Sequence, residues 1–159
     1  MDMVVKLYAL PDDAPLRHDL AEQKTIVRRA MAYEKQAVVS WVESQFGLAA
    51  KGWVSECDTA FSRSPIGCQI AIREGELLGF ACHDVATKNF FGPIGVAEDH
   101  RLQGVGTLLL LATLRAMRDQ GYAYAIIGHV GAGAFFEKTV DAVAIPGSTP
   151  GIYTTNEIA

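Results

Sequence analysis

Arg101, Gly104 and Gly106 are the residues of this chain whose types and spacing could do chemistry. They lie in the run Val96-Ala97-Glu98-Asp99-His100-Arg101-Leu102-Gln103-Gly104-Val105-Gly106-Thr107, with four leucines at 108–111 behind it. An apolar stretch over residues 90–96 reads as a strand and a strongly apolar one over 105–117 reads as a helix, which puts the glycines at a strand-to-helix turn. The first amide N–H groups of a helix have no intrahelical partner, and the macrodipole places partial positive charge at the same end. A phosphate arriving there is stabilised by geometry and by field, and the two glycines remove side chains that would hold it off. Arg101 would add a charge-assisted contact; its plainer role is an exposed arginine at a strand end, and the glycine context favours the first.

Three kinds of phosphate cradle use glycines in this way, and two of them fail here. A Walker-type loop needs Lys and Ser/Thr after its last glycine, where this chain has Thr107 and Leu108. A dinucleotide fingerprint needs a third glycine where Leu109 stands, and an acidic residue about twenty positions on, where the sequence is Tyr124-Ala125-Ile126-Ile127. What remains is Arg101-x-x-Gly104-x-Gly106, suited to a diphosphate carried on something other than a dinucleotide. A glutamate in place of Gly104 should then abolish binding and leave the fold largely intact.

With these residues in place the chain resembles the GNAT superfamily of acyl-CoA-dependent N-acyltransferases, whose signature is Arg/Gln-x-x-Gly-x-Gly/Ala. The resemblance covers residues 25–154 and includes the strand ending at Val96, the long helix after the turn, a second apolar strand over 124–130, and the helix seed Ala132-x-x-Phe135-Phe136-Glu137-Lys138. It implies an α+β fold in α/β/α layers: a mixed, mostly antiparallel sheet with one central, splayed parallel pair and helices on both faces. It implies acetyl-CoA as cosubstrate, with the pyrophosphate on the loop and amides of Arg101, Leu102, Gln103, Gly104, Val105, Gly106 and Thr107. The pantetheine arm would pair with the backbone of Ile94, Gly95 and Val96. The implied reaction is direct attack of a primary amine on the thioester, with a backbone N–H of residues 94–96 as oxyanion hole. The amine would belong to a small molecule or a peptide, chosen by the amino-terminal helices and residues 147–153. Pairing of two copies through an edge strand, common in the family, makes a homodimer the implied assembly.

Two positions depart from the family pattern. Phe136 stands where many members carry a tyrosine whose hydroxyl protonates the departing thiolate, so Tyr153 or a water would have to substitute. His129 stands where many have an asparagine that bonds the pantetheine arm; it is either a core histidine satisfied by a carbonyl or a base beside the thioester. Glu98 is a further candidate base, although with Asp99 it could simply favour the helix start. Glu56, His83 and Asp84 complete the candidates, Asp84 also being a turn cap. The missing tyrosine keeps two rivals in play: a coenzyme A-binding sensor with little turnover, and an unrelated phosphate-ligand domain.

The elements that must position these residues follow from length and pattern. A chain of 159 residues, half of them hydrophobic and a fifth charged, is expected to form one domain with its own core. The net charge of −4 gives no basic footprint for nucleic acid. The apolar run over 122–136 contains His129 and three glycines and is too short to span a membrane. The amino terminus has no leader pattern, so a cytoplasmic location is expected. Cys57, Cys68 and Cys82 are odd in number and widely spaced, which predicts buried reduced thiols rather than a disulfide framework or a zinc site. No resident metal is expected. Along the chain, residues 4–7 read as a strand and 16–23 as a short helix, an extension ahead of the core. Residues 25–29 read as a strand rather than the start of a helix. Helices follow over 33–46 and 53–62, a hairpin over 67–73 and 77–84, and the strand over 90–96. The strand over 124–130 must lie parallel to it, because a helix intervenes. Residues 142–145 and 151–154 supply a last strand or two.

Overall fold

The apolar run after the glycines forms the longest helix, α4 (Val105–Asp119). Val105, Leu108, Leu109, Leu110, Leu111, Leu114 and Met117 are all buried in the larger hydrophobic core. Each such side chain contributes about 1.5–3 kcal/mol on leaving water, which makes this helix a rigid mount for whatever its first turn holds. It ends beside Arg118, whose charge suits the carbonyl end, and Gly121 takes the left-handed φ of +106° that turns the chain back.

The computed structural model describes residues 1–153. In chain order they form β1 (Met3–Lys6), α1 (Ala14–Glu22), β2 (Thr25–Arg29), α2 (Lys35–Phe46), α3 (Gly52–Ala60), β3 (Cys68–Arg73), β4 (Glu76–His83), β5 (Phe90–Val96), α4, β6 (Tyr124–Ile127), α5 (Gly133–Val140) and β7 (Val143–Ala144). The strands make one sheet in the order β2-β3-β4-β5-β6-β1-β7. Only β5 and β6 run parallel; the other neighbours among the described residues are antiparallel. Alternation sends successive residues to opposite sides: Ala71 and Ala81 join the core with α4, while Ile70 and Cys82 join a second core with α2 and α3. In that second core Trp41, Phe46, Trp53 and Phe80 pack ring against ring at centroid separations of 5.2–6.3 Å. All three cysteines are free and buried there.

The carboxyl-terminal end departs from the sequence-based expectation. Residues 151–153 form turns rather than a strand, and Thr154 lies outside the described residues. The position beside β6 is taken by β1, whose Met3 to Lys6 pair antiparallel with Ile127 to Tyr124. The amino-terminal segment is therefore an internal strand of the sheet rather than a peripheral arm. The physical reason is burial: Val5 and Leu7 are completely inaccessible and Met3 is nearly so. Behind it, α1 is held to α4 through Asp13. Its nearly buried carboxylate pairs with Arg17 at 3.2 Å and with Arg115 of α4 at 3.1 Å. The strand expected over 124–130 stops at Ile127, and exposed Tyr124 rests edge-on against Tyr8 instead of being covered on both faces.

Candidate active site

The parallel pair is short for a reason written in β5. It extends over Phe90 opposite Ile126 and Phe91 opposite Ile127, and then the two strands part. Gly92 takes a φ of +118° and Pro93 has no N–H to donate, so the ladder cannot continue on the β5 side. On the β6 side Gly128 and His129, with φ of +53°, turn the chain away. Beyond the break, β5 still pairs with β4 through Ile94, Gly95 and Val96. Because Ala97 donates to the Leu78 carbonyl at 2.8 Å, alternation turns the N–H and C=O of Ile94 and Val96 to the opposite edge, into the notch that β6 has left. Gly95 serves another purpose. A Cβ there would come within 2.7 Å of Phe46 and 3.0 Å of Trp53, so its missing side chain makes room for the aromatic core.

The notch runs into the glycine turn. Leu108 donates the first bond of α4 to the Gly104 carbonyl at 3.0 Å, which leaves the amides of Val105, Gly106 and Thr107 ahead of the helical ladder. Gly104 has a φ of +89°, and fully exposed Leu102 also adopts the left-handed region, at +62°. A Cβ on Gly104 would approach Leu16 of α1 to 2.9 Å, so a side chain there disturbs the backbone and the α1 contact as well as the cradle. Gly104→Glu would thus strain the turn as well as obstruct the loop. Gly106 is the free position: its Cβ would meet only Val96, at 3.6 Å, an ordinary contact. Arg101 is exposed and its Nε donates to the Val96 carbonyl at 3.1 Å, tying the loop to the end of β5. Arg73, which the sequence did not single out, reaches Gln103 at 3.5 Å and brings a second guanidinium to the loop. No local pattern could have flagged it, since β3 and the loop meet only through the sheet.

At the other end of the notch lies a cleft of about 350 Å³. Phe90 to Ile94 form one wall, Ile127 to Ala132 the other, Phe136 the base, and Trp53, Glu56 and Tyr153 the rim. Phe136 is nearly buried and rests edge-on against Phe91 at 6.1 Å, a packing role in keeping with its lack of a hydroxyl. Tyr153 supplies a hydroxyl in the same cleft, beside Gly128, where an added Cβ would stand 2.8 Å from it. Burial raises the pKa of Tyr153, and the carboxylates of Glu56 and Asp2 add to the effect, so it remains a proton donor. Burial likewise raises the pKa of Glu56.

Of the candidate bases, His129 and Glu56 line this cleft and the others do not. His129 is exposed, with its ring 5.3 Å from that of Tyr153, so it is not a core histidine. Its N–H donates to the Asp2 carboxylate at 3.0 Å. Asp2 also donates its N–H to Ser148 at 2.7 Å and accepts from the Ile145 N–H at 2.8 Å, so one nearly buried residue braces both loops flanking the cleft. Sequence reasoning missed it because those loops lie over a hundred positions away. Glu98 is exposed on the short 3-10 turn between β5 and α4 and does not face the cleft. His83 and Asp84 line a separate cavity with Arg63, Lys88 and Tyr122.

The chain matches the Acetyltransferase (GNAT) family over residues 25–140. No curated protein matches it. Among solved structures, the glucosamine N-acetyltransferase region of a fungal multi-domain β-N-acetylglucosaminidase superposes with a TM-score of 0.70 at 12% identity, over 87% of this chain and 19% of that one. A GCN5-related N-acetyltransferase from Sphaerobacter thermophilus gives 0.67 at 16% identity, over 89% and 47% of the two chains. A protein from Drosophila gives 0.64 at 15%, over 91% and 46%. At these identities the likeness is one of fold, and the chain spans less than half the length of each of the three. The family match extends from β2 through α5 and so takes in both the notch and the turn; the chain belongs to the GNAT acetyltransferase family.

Proposed function

We propose that this protein transfers an acetyl group from acetyl-CoA to a primary amine of a small molecule or peptide. The observation that carries the reading is the continuity of three features: free amides at the start of α4, the edge of β5 that no strand pairs beyond Phe91, and a cleft with three titratable side chains, Glu56, His129 and Tyr153. A diphosphate fits the first, since Val105, Gly106 and Thr107 offer N–H groups and Gly106 leaves the approach open. Arg101 and Arg73 add positive charge beside the loop. The amide-bearing pantetheine arm fits the second, exchanging hydrogen bonds with Ile94 and Val96 as a strand would.

The third feature is where the reaction occurs. The amine enters neutral, having left its ammonium proton in solvent, and Glu56, whose burial favours proton uptake, takes the proton that the nitrogen sheds as it attacks. As the amine nitrogen bonds to the thioester carbon, the carbonyl oxygen gains negative charge beside the Ile94 N–H. The carbon–sulfur bond then breaks, and the thiolate takes a proton from the Tyr153 hydroxyl. Solvent returns the proton held by Glu56 to Tyr153. His129, exposed and with its ring tilted against that of Tyr153, orients that hydroxyl or contacts the arm.

The test is release of coenzyme A thiol from acetyl-CoA, followed with an aromatic disulfide across amino acids, amino sugars, polyamines and peptide amino termini. At least one class should accelerate release well above the amine-free rate. Saturable acetyl-CoA binding with no acceleration by any class would replace this reading with a coenzyme A-binding module that does not turn over.

A further inference from the structure

The three cysteines of the chain, which the acetyl-transfer reading does not use, converge on one point in the second core. Cys57 comes from α3, Cys68 opens β3 and Cys82 lies in β4, and their sulfurs are all within 4.8 Å of one another. The register explains two of them. Cys68 faces Cys82 directly, and because the His83 N–H donates to the Gly67 carbonyl at 3.0 Å this is a pair without mutual hydrogen bonds, where facing side chains stand closest. α3 then lays Cys57 over that pair. We propose that this triad is a binding site for a soft, thiophilic metal ion held by three sulfur ligands.

The geometry requires little movement. Metal–sulfur bonds of about 2.3 Å place three sulfurs about 4 Å apart, within the 4.8 Å that spans the triad. The walls select the ion. Val38, Val42, Ile70 and Phe80 surround the triad, and no fourth histidine, cysteine or carboxylate joins it among the described residues. Zinc, which takes four ligands, would lack one and would have no polar pocket for a water. A soft ion content with three thiolates, of the kind that thiolate ligands favour over oxygen and nitrogen donors, has all it needs. A divalent ion also leaves only one net negative charge among apolar groups, whereas a monovalent ion would leave two. Binding exchanges three thiol protons for the ion. The thiols are all completely inaccessible, so loading proceeds during folding or by transient opening of α3. The site adjoins the cleft, because Glu56, the residue before Cys57 in α3, lines it.

Cd²⁺ is the probe. The full chain is refolded with Cd²⁺ and a phosphine reductant, gel-filtered, and read for bound metal and for sulfur-to-cadmium ultraviolet absorption. One ion per chain is expected, with the absorption lost and stoichiometry falling at least tenfold in each of Cys57→Ala, Cys68→Ala and Cys82→Ala. Far-ultraviolet circular dichroism and acetyl-CoA binding identify variants that still fold; the small apolar replacement suits this core. Equal Cd²⁺ binding by the triple alanine variant, or binding that survives any one substitution in a folded variant, would overturn the three-sulfur site. So would a folded wild-type chain that leaves the refolding mixture without metal.

Discussion

In the proposed reaction two side chains divide the proton transfers, and their surroundings suit them to the parts. Glu56 is shifted upward by burial, which makes it a better proton acceptor than an exposed carboxylate. Its charged form is the active one, so the rate should rise with pH through the raised pKa. Glu56→Gln should lower kcat by roughly 10²–10⁴ and remove that acidic limb from the pH profile. A profile unchanged in shape would assign the limb to another group, with His129 the next to test. Tyr153 does what Phe136 cannot, and its raised pKa keeps the proton available across the working range. Tyr153→Phe preserves the ring contact with His129 and removes only the hydroxyl, so kcat should fall by roughly 10²-fold or more while KM for acetyl-CoA changes little. Phe136 drew notice only through the family resemblance, which implies a tyrosine at its place in the helix seed. Asp2, which braces the loops of His129 and Ser148, was not, because a hydrogen bond across more than a hundred residues leaves no local trace.

In the proposed site the turn from β5 to α4 carries recognition, and its two glycines differ in kind. Gly104 is required by conformation: at φ +89° a Cβ costs about 1–2 kcal/mol, and Leu16 stands in its way. Gly106 sits in the first turn of the helix with ordinary contact distances, where a glycine is worth about 0.5–1 kcal/mol less than alanine. Gly104→Ala should therefore lower the denaturation midpoint and Gly106→Ala should raise it, a difference in sign that urea unfolding resolves. Equal destabilisation by both would mean that the turn is held differently. The spacing Arg101-x-x-Gly104-x-Gly106 located this element, and the apolar run fixed the helix behind it, because both signals are contained within twenty residues. The partner strand was harder to read. The apolar run over 124–130 looked like one strand, but it stops at Ile127, since Gly92, Pro93 and His129 break the ladder. That break is the notch.

For the molecule as a whole, the sheet order depends on pairing between the two ends of the chain. The sequence pattern identified residues 4–7 as a strand but could not give its partners, and β1 proves to lie between β6 and β7. At the opposite edge, Arg28 of β2 clamps Glu34 ahead of α2 through two bonds of 2.8 and 2.7 Å. The Arg28 guanidinium, helped by the Met31 N–H, holds the Glu34 carboxyl down to about 2. A depressed carboxyl contributes stability that is fully present above its unfolded pKa, near 4.5, and is lost as pH falls through about 2. Glu34→Gln should thus cost about 1–2 kcal/mol at neutral pH, allowing for partial exposure of the pair, and the gap from wild type should close as pH approaches 2. A gap independent of pH would show that packing rather than charge holds the pair. The central claim is that a helix start, a parted strand pair and a cleft together form one acetyl-CoA site. Calorimetric titration of acetyl-CoA into wild type and Gly106→Glu tests it most directly, because the glutamate has room in the fold and carries its charge where the diphosphate should lie. Saturable binding by wild type, with affinity reduced at least a hundredfold in a variant that unfolds at the same or a higher temperature, is the predicted result. Equal affinity in the two proteins would contradict the account.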